Sequence, residues 1–259
     1  MTPPFGDLLA LIEDRSAALR EAAAAAALDA RVPGCPDWSL EDLVSHLGRV
    51  QRFWAAAVAA GPASEPPDGN AIEDPMPGLD LLAWSVDSTA ALLAALDAAG
   101  PDRGCWTWWG DSAAPMTAGA VARHQVQEAA VHARDAQDSV GRAGPLPAVI
   151  ARDGVAEFVT VGLGAAGPWP HAPGRIALYG DEGDTWLVDL GETGAVLVSS
   201  AANAPAGAVT GAGPEPTAAV HAPASDLVLV LYRRKALEDV RTTGDRGLVE
   251  RLVAWSPTD

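Results

Sequence analysis

Glutamate and histidine stand four residues apart at Glu128 and His132, inside the run Arg123-His124-Gln125-Val126-Gln127-Glu128-Ala129-Ala130-Val131-His132-Ala133-Arg134-Asp135. On a helix that spacing sends both side chains out of one face, about one turn apart. A carboxylate and an imidazole so placed, joined by one more histidine from a neighbouring helix, make a three-ligand metal site with coordination positions left open. Open positions separate a catalytic metal from a structural one. An ion held this way can lower the pKa of a bound water or thiol enough to give a nucleophile at neutral pH.

His124 extends the stripe to i, i+4, i+8, but all three residues cannot share one ion. The outer two lie about 12 Å apart along the axis, whereas ligand atoms sit about 2 Å from a metal. The third ligand must therefore come from elsewhere, and His46 is the best candidate, leaving His124 a supporting or pocket role. His46 lies mid-helix among Leu43, Val44 and Leu47, where a histidine needs a reason. A buried histidine satisfied by a hydrogen bond is the plain alternative, as is a solvated Glu–His pair for Glu128 and His132. Two histidines and a carboxylate also serve non-haem iron enzymes, so ligand identity does not choose between zinc and iron.

The first 140 residues carry the periodicity of four helices. Phe5 to Ala30 is the first, stopped by Val32-Pro33-Gly34. The second opens at Ser39, where Ser39 and Asp42 have capping-box spacing, and runs towards Ala60. Gly61 to Gly78 is rich in proline, glycine and acidic residues and reads as a long surface connection. A third helix covers about Leu79 to Ala98 and ends at Gly100-Pro101. Cys105 to Met116 is an aromatic loop, in which Trp106, Trp108 and Trp109 either wall a pocket or plug the end of the bundle. Thr117 to Ser139 is the fourth helix and carries Glu128 and His132. Helices of this length with apolar stripes inward imply a bundle, a common host for metal sites.

After Gly144-Pro145 the pattern changes. One more helix spans Pro147 to Val161. Period-2 runs follow at Gly174–Tyr179, Thr185–Leu190 and Ala195–Val198, the first two joined by the turn Gly180-Asp181-Glu182-Gly183-Asp184. Helices at Ala224–Arg233 and Asp245–Trp255 close the chain. The expected architecture is an N-terminal all-α up-down four-helix bundle over 1–143 and a smaller α+β domain over 144–259.

With a formal charge of −17, the 259-residue chain lacks the basic footprint that nucleic acid or an anionic membrane requires. Hydrophobic residues at 49% and charged ones at 20% are ordinary for a globular protein. No run of about 18 uninterrupted apolar residues suggests a membrane span, and Met1-Thr2-Pro3-Pro4 lacks the basic start of a signal peptide. The expected compartment is the cytoplasm, with a monomer or homodimer as the expected state. The two cysteines, Cys35 and Cys105, read as buried thiols rather than a disulfide or nucleophiles.

The run Val32-Pro33-Gly34-Cys35-Pro36-Asp37-Trp38-Ser39-Leu40-Glu41-Asp42-Leu43-Val44-Ser45-His46-Leu47 resembles the opening of the actinobacterial mycothiol-dependent maleylpyruvate isomerase family, part of the DinB-like superfamily of four-helix metalloproteins. Glu128 to Asp135 is similar to that family's second motif. Ala224 to Arg234, followed by Thr243-Gly244-Asp245, looks like its sterol-carrier-protein-like C-terminal domain. The resemblance implies His46, Glu128 and His132 as ligands of a divalent metal, usually zinc, and mycothiol as thiol cosubstrate. It also implies that Arg234 binds an anion at an interdomain cleft. The implied activity is thiolate addition to an electrophile, leading to cis–trans isomerisation or to thiol transfer. A binder that keeps the fold and metal without catalysis is the rival. Two positions depart from the family pattern: Gln127 stands where relatives often have histidine, and Tyr232-Arg233-Arg234-Lys235 where they commonly have Trp-Gly-Arg-Arg.

Overall fold

The computed structural model describes residues 2–69, 72, 75, 80–201 and 214–256. Among the described residues it has seven α-helices and a mixed sheet, and it divides into two compact units. One comprises Thr2–Trp108 with Pro115–Leu146, the other Trp109–Ala114 with Pro147–Asp259.

In the first unit, helix α1 (Phe5–Ala24) buries Leu8, Ile12, Ser16 and Leu19 along one face. It stops six residues short of the expected Ala30, because the following carbonyls have other partners. Leu28 and Ala30 accept the Glu41 and Leu40 N–H groups at 2.8 and 2.9 Å. A short hairpin then follows, β1 (Arg31–Val32) and β2 (Cys35–Ser39), which helical periodicity did not reveal.

Helix α2 (Leu40–Ala60) starts at the expected capping box. Ser39 accepts from the Asp42 N–H, and the Asp42 carboxylate accepts from the Ser39 N–H at 2.8 Å. With Leu40 and Glu41 donating to the Ala30 and Leu28 carbonyls, the Asp42 bond to Ser39 completes the partners of the first three N–H groups of the helix, which have no intrahelical partner. The Ser39 bonds hold the Asp42 carboxyl below its ordinary pKa.

Helix α3 (Leu81–Ala99) is capped by Asp80 and ends at Gly100 with φ 70°. Leu79, where this helix was expected to begin, and parts of the connection ahead of it lie outside the described residues. The helix is long and apolar enough to cross a membrane by length and composition. Its polar side chains bond to the neighbouring helices: Thr89 donates to Gln51 Oε1 at 2.8 Å, Gln51 donates to Ser16 at 2.8 Å, and Arg52 of α2 donates to Ser88 at 2.8 Å. Gly48 of α2 permits this close approach, since a Cβ there would lie 2.1 Å from the Trp84 ring.

Helix α4 (Ala118–Ser139), capped by Thr117, is buried around almost its whole circumference, as expected of a central helix. It packs on α1 and α2, and α3 packs on α2 and α1. Small Ala129, Ala133 and Ala136 of α4 sit in one apolar cluster with Leu43, Val44 and Leu47 of α2.

In the second unit, α5 (Ala148–Phe158) runs into a π-helical turn, Val159–Leu163, where the expected helix continued to Val161. The sheet has the order β5-β4-β3-β6-β7, formed by β3 (Gly174–Gly180), β4 (Thr185–Gly191), β5 (Gly194–Ala201), β6 (Ala218–Ala222) and β7 (Arg241–Gly244). All pairs are antiparallel except β3 with β6, where Ile176 faces Ala218. The β3–β4 turn closes with the Gly180 N–H on the Asp184 carbonyl at 2.8 Å and Gly183 at φ 91°.

Helix α6 (Ala224–Leu231) ends two residues before the expected Arg233, because Arg233 adopts a left-handed φ of 56°. That geometry lets the Arg234 and Lys235 N–H groups turn back to the Leu229 carbonyl at 2.7 and 3.1 Å. The last helix, α7 (Arg246–Trp255), is capped by Asp245.

Candidate metal centre

Helices α2 and α4 bring His46, Glu128 and His132 together. One ligand atom from each lies within 4.8 Å of the others. Glu128 Oε2 is 3.5 Å from His132 Nε2 and 3.9 Å from His46 Nε2. These gaps exceed ordinary hydrogen-bond lengths. They suit two donors sharing one ion, since ligands about 2.0–2.1 Å from a tetrahedral zinc are about 3.3 Å apart. Two imidazoles and a carboxylate facing one point therefore fit a divalent cation. His132 and Glu128 are buried, and the His46 side chain is 26% exposed although its Nε2 is itself buried.

The third stripe residue, His124, faces the group but does not join it. Its Nε2 lies 3.7 Å from the other oxygen of Glu128, Oε1. At that distance it neighbours the carboxylate on the side away from the two histidines.

Asp135 is the clearest residue that the ligand search passed over. Its Oδ2 sits 3.3 Å from His132 Nδ1. A carboxylate only accepts, so Nδ1 carries the hydrogen and Nε2 keeps its lone pair for a metal. A carboxylate behind a metal-binding histidine fixes ring orientation and raises basicity. The i, i+3 spacing of His132 and Asp135 was the available signal.

Aromatic rings flank the group on two sides. Trp38, from β2, lies 4.7 Å from the His46 ring and 6.0 Å from the His132 ring. On the other side His124 touches Trp54 at 6.1 Å and Trp108 at 5.6 Å, and Trp106 adjoins Phe53 and Trp54. Trp106 and Trp108 thus belong with the aromatic cluster beside His124. Trp109 is fully buried and belongs to the other unit. Gln127 is buried as well. Neither cysteine forms a disulfide and both are buried, and burial pushes the Cys105 thiol up.

The models of two protein domains match the chain in order. Residues 9–137 match the mycothiol maleylpyruvate isomerase N-terminal domain, and residues 149–251 match the C-terminal domain of the same enzyme type. The chain belongs to the mycothiol maleylpyruvate isomerase family. Solved structures agree at the level of fold. The crystal structure of a mycothiol-dependent maleylpyruvate isomerase has a TM-score of 0.56 at 16% identity, covering 94% of this chain and 95% of that one. A histidine-to-alanine variant of the mycothiol-dependent maleylpyruvate isomerase has a TM-score of 0.58 at 15% identity, with the same coverage. No curated protein matches the chain. In this family member, Arg234 follows the end of α6, is partly buried, and donates from Nη1 to the Tyr232 carbonyl at 3.0 Å.

Proposed function

We propose that the chain is a metal-dependent enzyme that uses mycothiol against a small electrophilic substrate. The observation that carries this reading is the convergence of His46, Glu128 and His132 on one point in a member of this family. We assign residues 1–143 to a DinB-like up-down bundle that holds the metal, and residues 144–259 to a sterol-carrier-protein-like domain. The expected compartment is the cytoplasm.

His46 Nε2, His132 Nε2 and Glu128 Oε2 would hold the ion, which we take to be zinc. When bound, it supplies the electrostatic stabilisation that keeps a thiol ionised at neutral pH. Asp135 holds the His132 tautomer, and His124 steadies the Glu128 carboxylate. The half-exposed Trp108 and the ring of Trp38 bound the approach and exclude part of the solvent.

In the reaction we infer, the thiolate sulfur bonds to one carbon of an activated cis double bond, and the π electrons move onto the activating carbonyl. Rotation about the new single bond follows. Collapse of the enolate then expels the thiolate and leaves the trans alkene, with no net change in protons or electrons. If expulsion does not follow, protonation gives a conjugate and the enzyme is an S-transferase. Arg234 is assigned the binding of an anionic substrate group, which its permanent charge and planar fork suit.

Incubation with mycothiol and a panel of activated cis alkenes, followed by NMR of the products, tests this. A trans product with the thiol returned marks an isomerase, and a conjugate marks a transferase. Absence of thiol-dependent turnover on every electrophile refutes the reading.

A further inference from the structure

The β1–β2 hairpin lies across the sequence from α4, yet it places a thiol behind the metal-facing histidine. Cys35 Sγ is 3.7 Å from Asp135 Oδ2, the same oxygen that meets His132 Nδ1 at 3.3 Å. All three residues are buried: Cys35 is 9% exposed, Asp135 0% and His132 3%. Cys35 shares its apolar cluster with Val32, Leu43 and Leu47. A carboxylate in such surroundings is costly unless hydrogen bonds support it.

We propose that Cys35 is a positioning residue for the metal site: its thiol donates to Asp135 Oδ2, and Asp135 in turn fixes the ring of His132. This rests on the three-ligand reading above and goes beyond it, because it gives work to a residue that binds neither metal nor substrate. A thiol is a weak donor, so it restrains the carboxylate without drawing its charge away from the His132 N–H. The same hairpin sets Trp38 against the His46 and His132 rings. The hairpin therefore buttresses two of the three ligands from outside the helices that carry them.

The Cys35, His132 and Asp135 donor atoms also lie within 4.8 Å of one another, so a second ion on Nδ1 is the competing explanation of the cluster. The hydrogen-bonded reading is favoured because a metal-binding histidine ordinarily donates its other ring N–H to a carboxylate. It also requires no second cation in a fully enclosed space.

The test is zinc affinity of the full-length protein, measured by competition with a chromophoric chelator, for wild type, Cys35→Ala, Cys35→Ser, Asp135→Asn and His46→Ala. Visible spectra of the cobalt-loaded forms are recorded alongside. Asp135→Asn is expected to weaken binding by about 10–100-fold. Cys35→Ala should weaken it by at least about threefold, in the same direction, and shift the cobalt bands. Cys35→Ser, which restores a donor, should return most of the affinity. A purely packing role for Cys35 would lower the melting temperature and leave affinity and cobalt spectrum at wild-type values, which overturns the proposal. Two ions per wild-type chain, falling to one in Cys35→Ala, would also overturn it. Loss of binding in His46→Ala supports the three-ligand site whatever the Cys35 variants do. A wild-type protein that binds no divalent ion would refute both.

Discussion

Glu128 is the pivot of the site, because its two oxygens are divided between different partners. Oε2 faces His132 and His46, and Oε1 faces His124. Glu128→Gln keeps the shape but replaces one oxygen with a donor that cannot bind a cation. We expect metal content after dialysis to fall below a tenth of wild type, with thiol-dependent turnover lost. Retained stoichiometric metal would contradict this assignment. The stripe His124, Glu128, His132 was visible in the sequence, and so was the reason that only one adjacent pair could bind a single ion. The partner residue was harder to find. Nothing in the spacing of His46 relative to Glu128 shows that α2 and α4 pack together; His46 stood out as a histidine among Leu43, Val44 and Leu47, and the family resemblance added its role as ligand. Asp135 was on the page at i+3 from His132. That spacing marks a neighbour on the helix face and carries no mark of a metal ligand, because Asp135 touches the ring nitrogen on the far side of His132.

Helix starts were legible because caps are local: Ser39 with Asp42, and Thr117 ahead of α4, are decided by a few neighbouring residues. Ser39→Ala should cost about 1 kcal/mol at pH 7, measured by urea denaturation. The Asp42 carboxyl is held below its ordinary pKa by Ser39, so its contribution is present above the unfolded value near 3.9. It is lost as pH falls through the lower folded value. The gap between wild type and Ser39→Ala should therefore narrow below about pH 4, and a constant gap would contradict the capping box. Strands were legible only where an apolar run is bounded by turn residues. β3 and β4 stand out instead as largely buried apolar runs on either side of a glycine- and acid-rich turn, but β6 is Ala218-Ala219-Val220-His221-Ala222 and β7 is Arg241-Thr242-Thr243-Gly244, and both become strands by pairing with neighbours. The hairpin at 31–39 was hidden for the same reason. The end of α6 was misjudged because Arg233 takes a left-handed conformation usually given to glycine. Arg233→Gly should stabilise the protein by about 0.5–1 kcal/mol, the relief of left-handed strain exceeding the loss of the Arg233 bond to the Ser256 carbonyl. A lower unfolding midpoint would contradict that. Gly48→Ala gives the opposite balance. Better helix propensity is worth about 1 kcal/mol, but a Cβ at 2.1 Å from Trp84 forces α2 from α3, and overpacking of about 1–3 kcal/mol should prevail.

The chain joins an acidic molecule of charge −17 to a site that needs a cation, and this links metal binding to stability. An ion that binds only the folded state stabilises it by about 2.7 kcal/mol at a hundred times its dissociation constant. Zinc should therefore raise the melting temperature of wild type, a chelator should lower it, and His46→Ala should respond to neither. The most direct test of the central claim is metal content and mycothiol-dependent turnover, measured on the same preparations of wild type and His46→Ala. The expected result is one divalent ion per wild-type chain with thiol-dependent turnover, and loss of both in the variant. Turnover that survives in His46→Ala would refute the site.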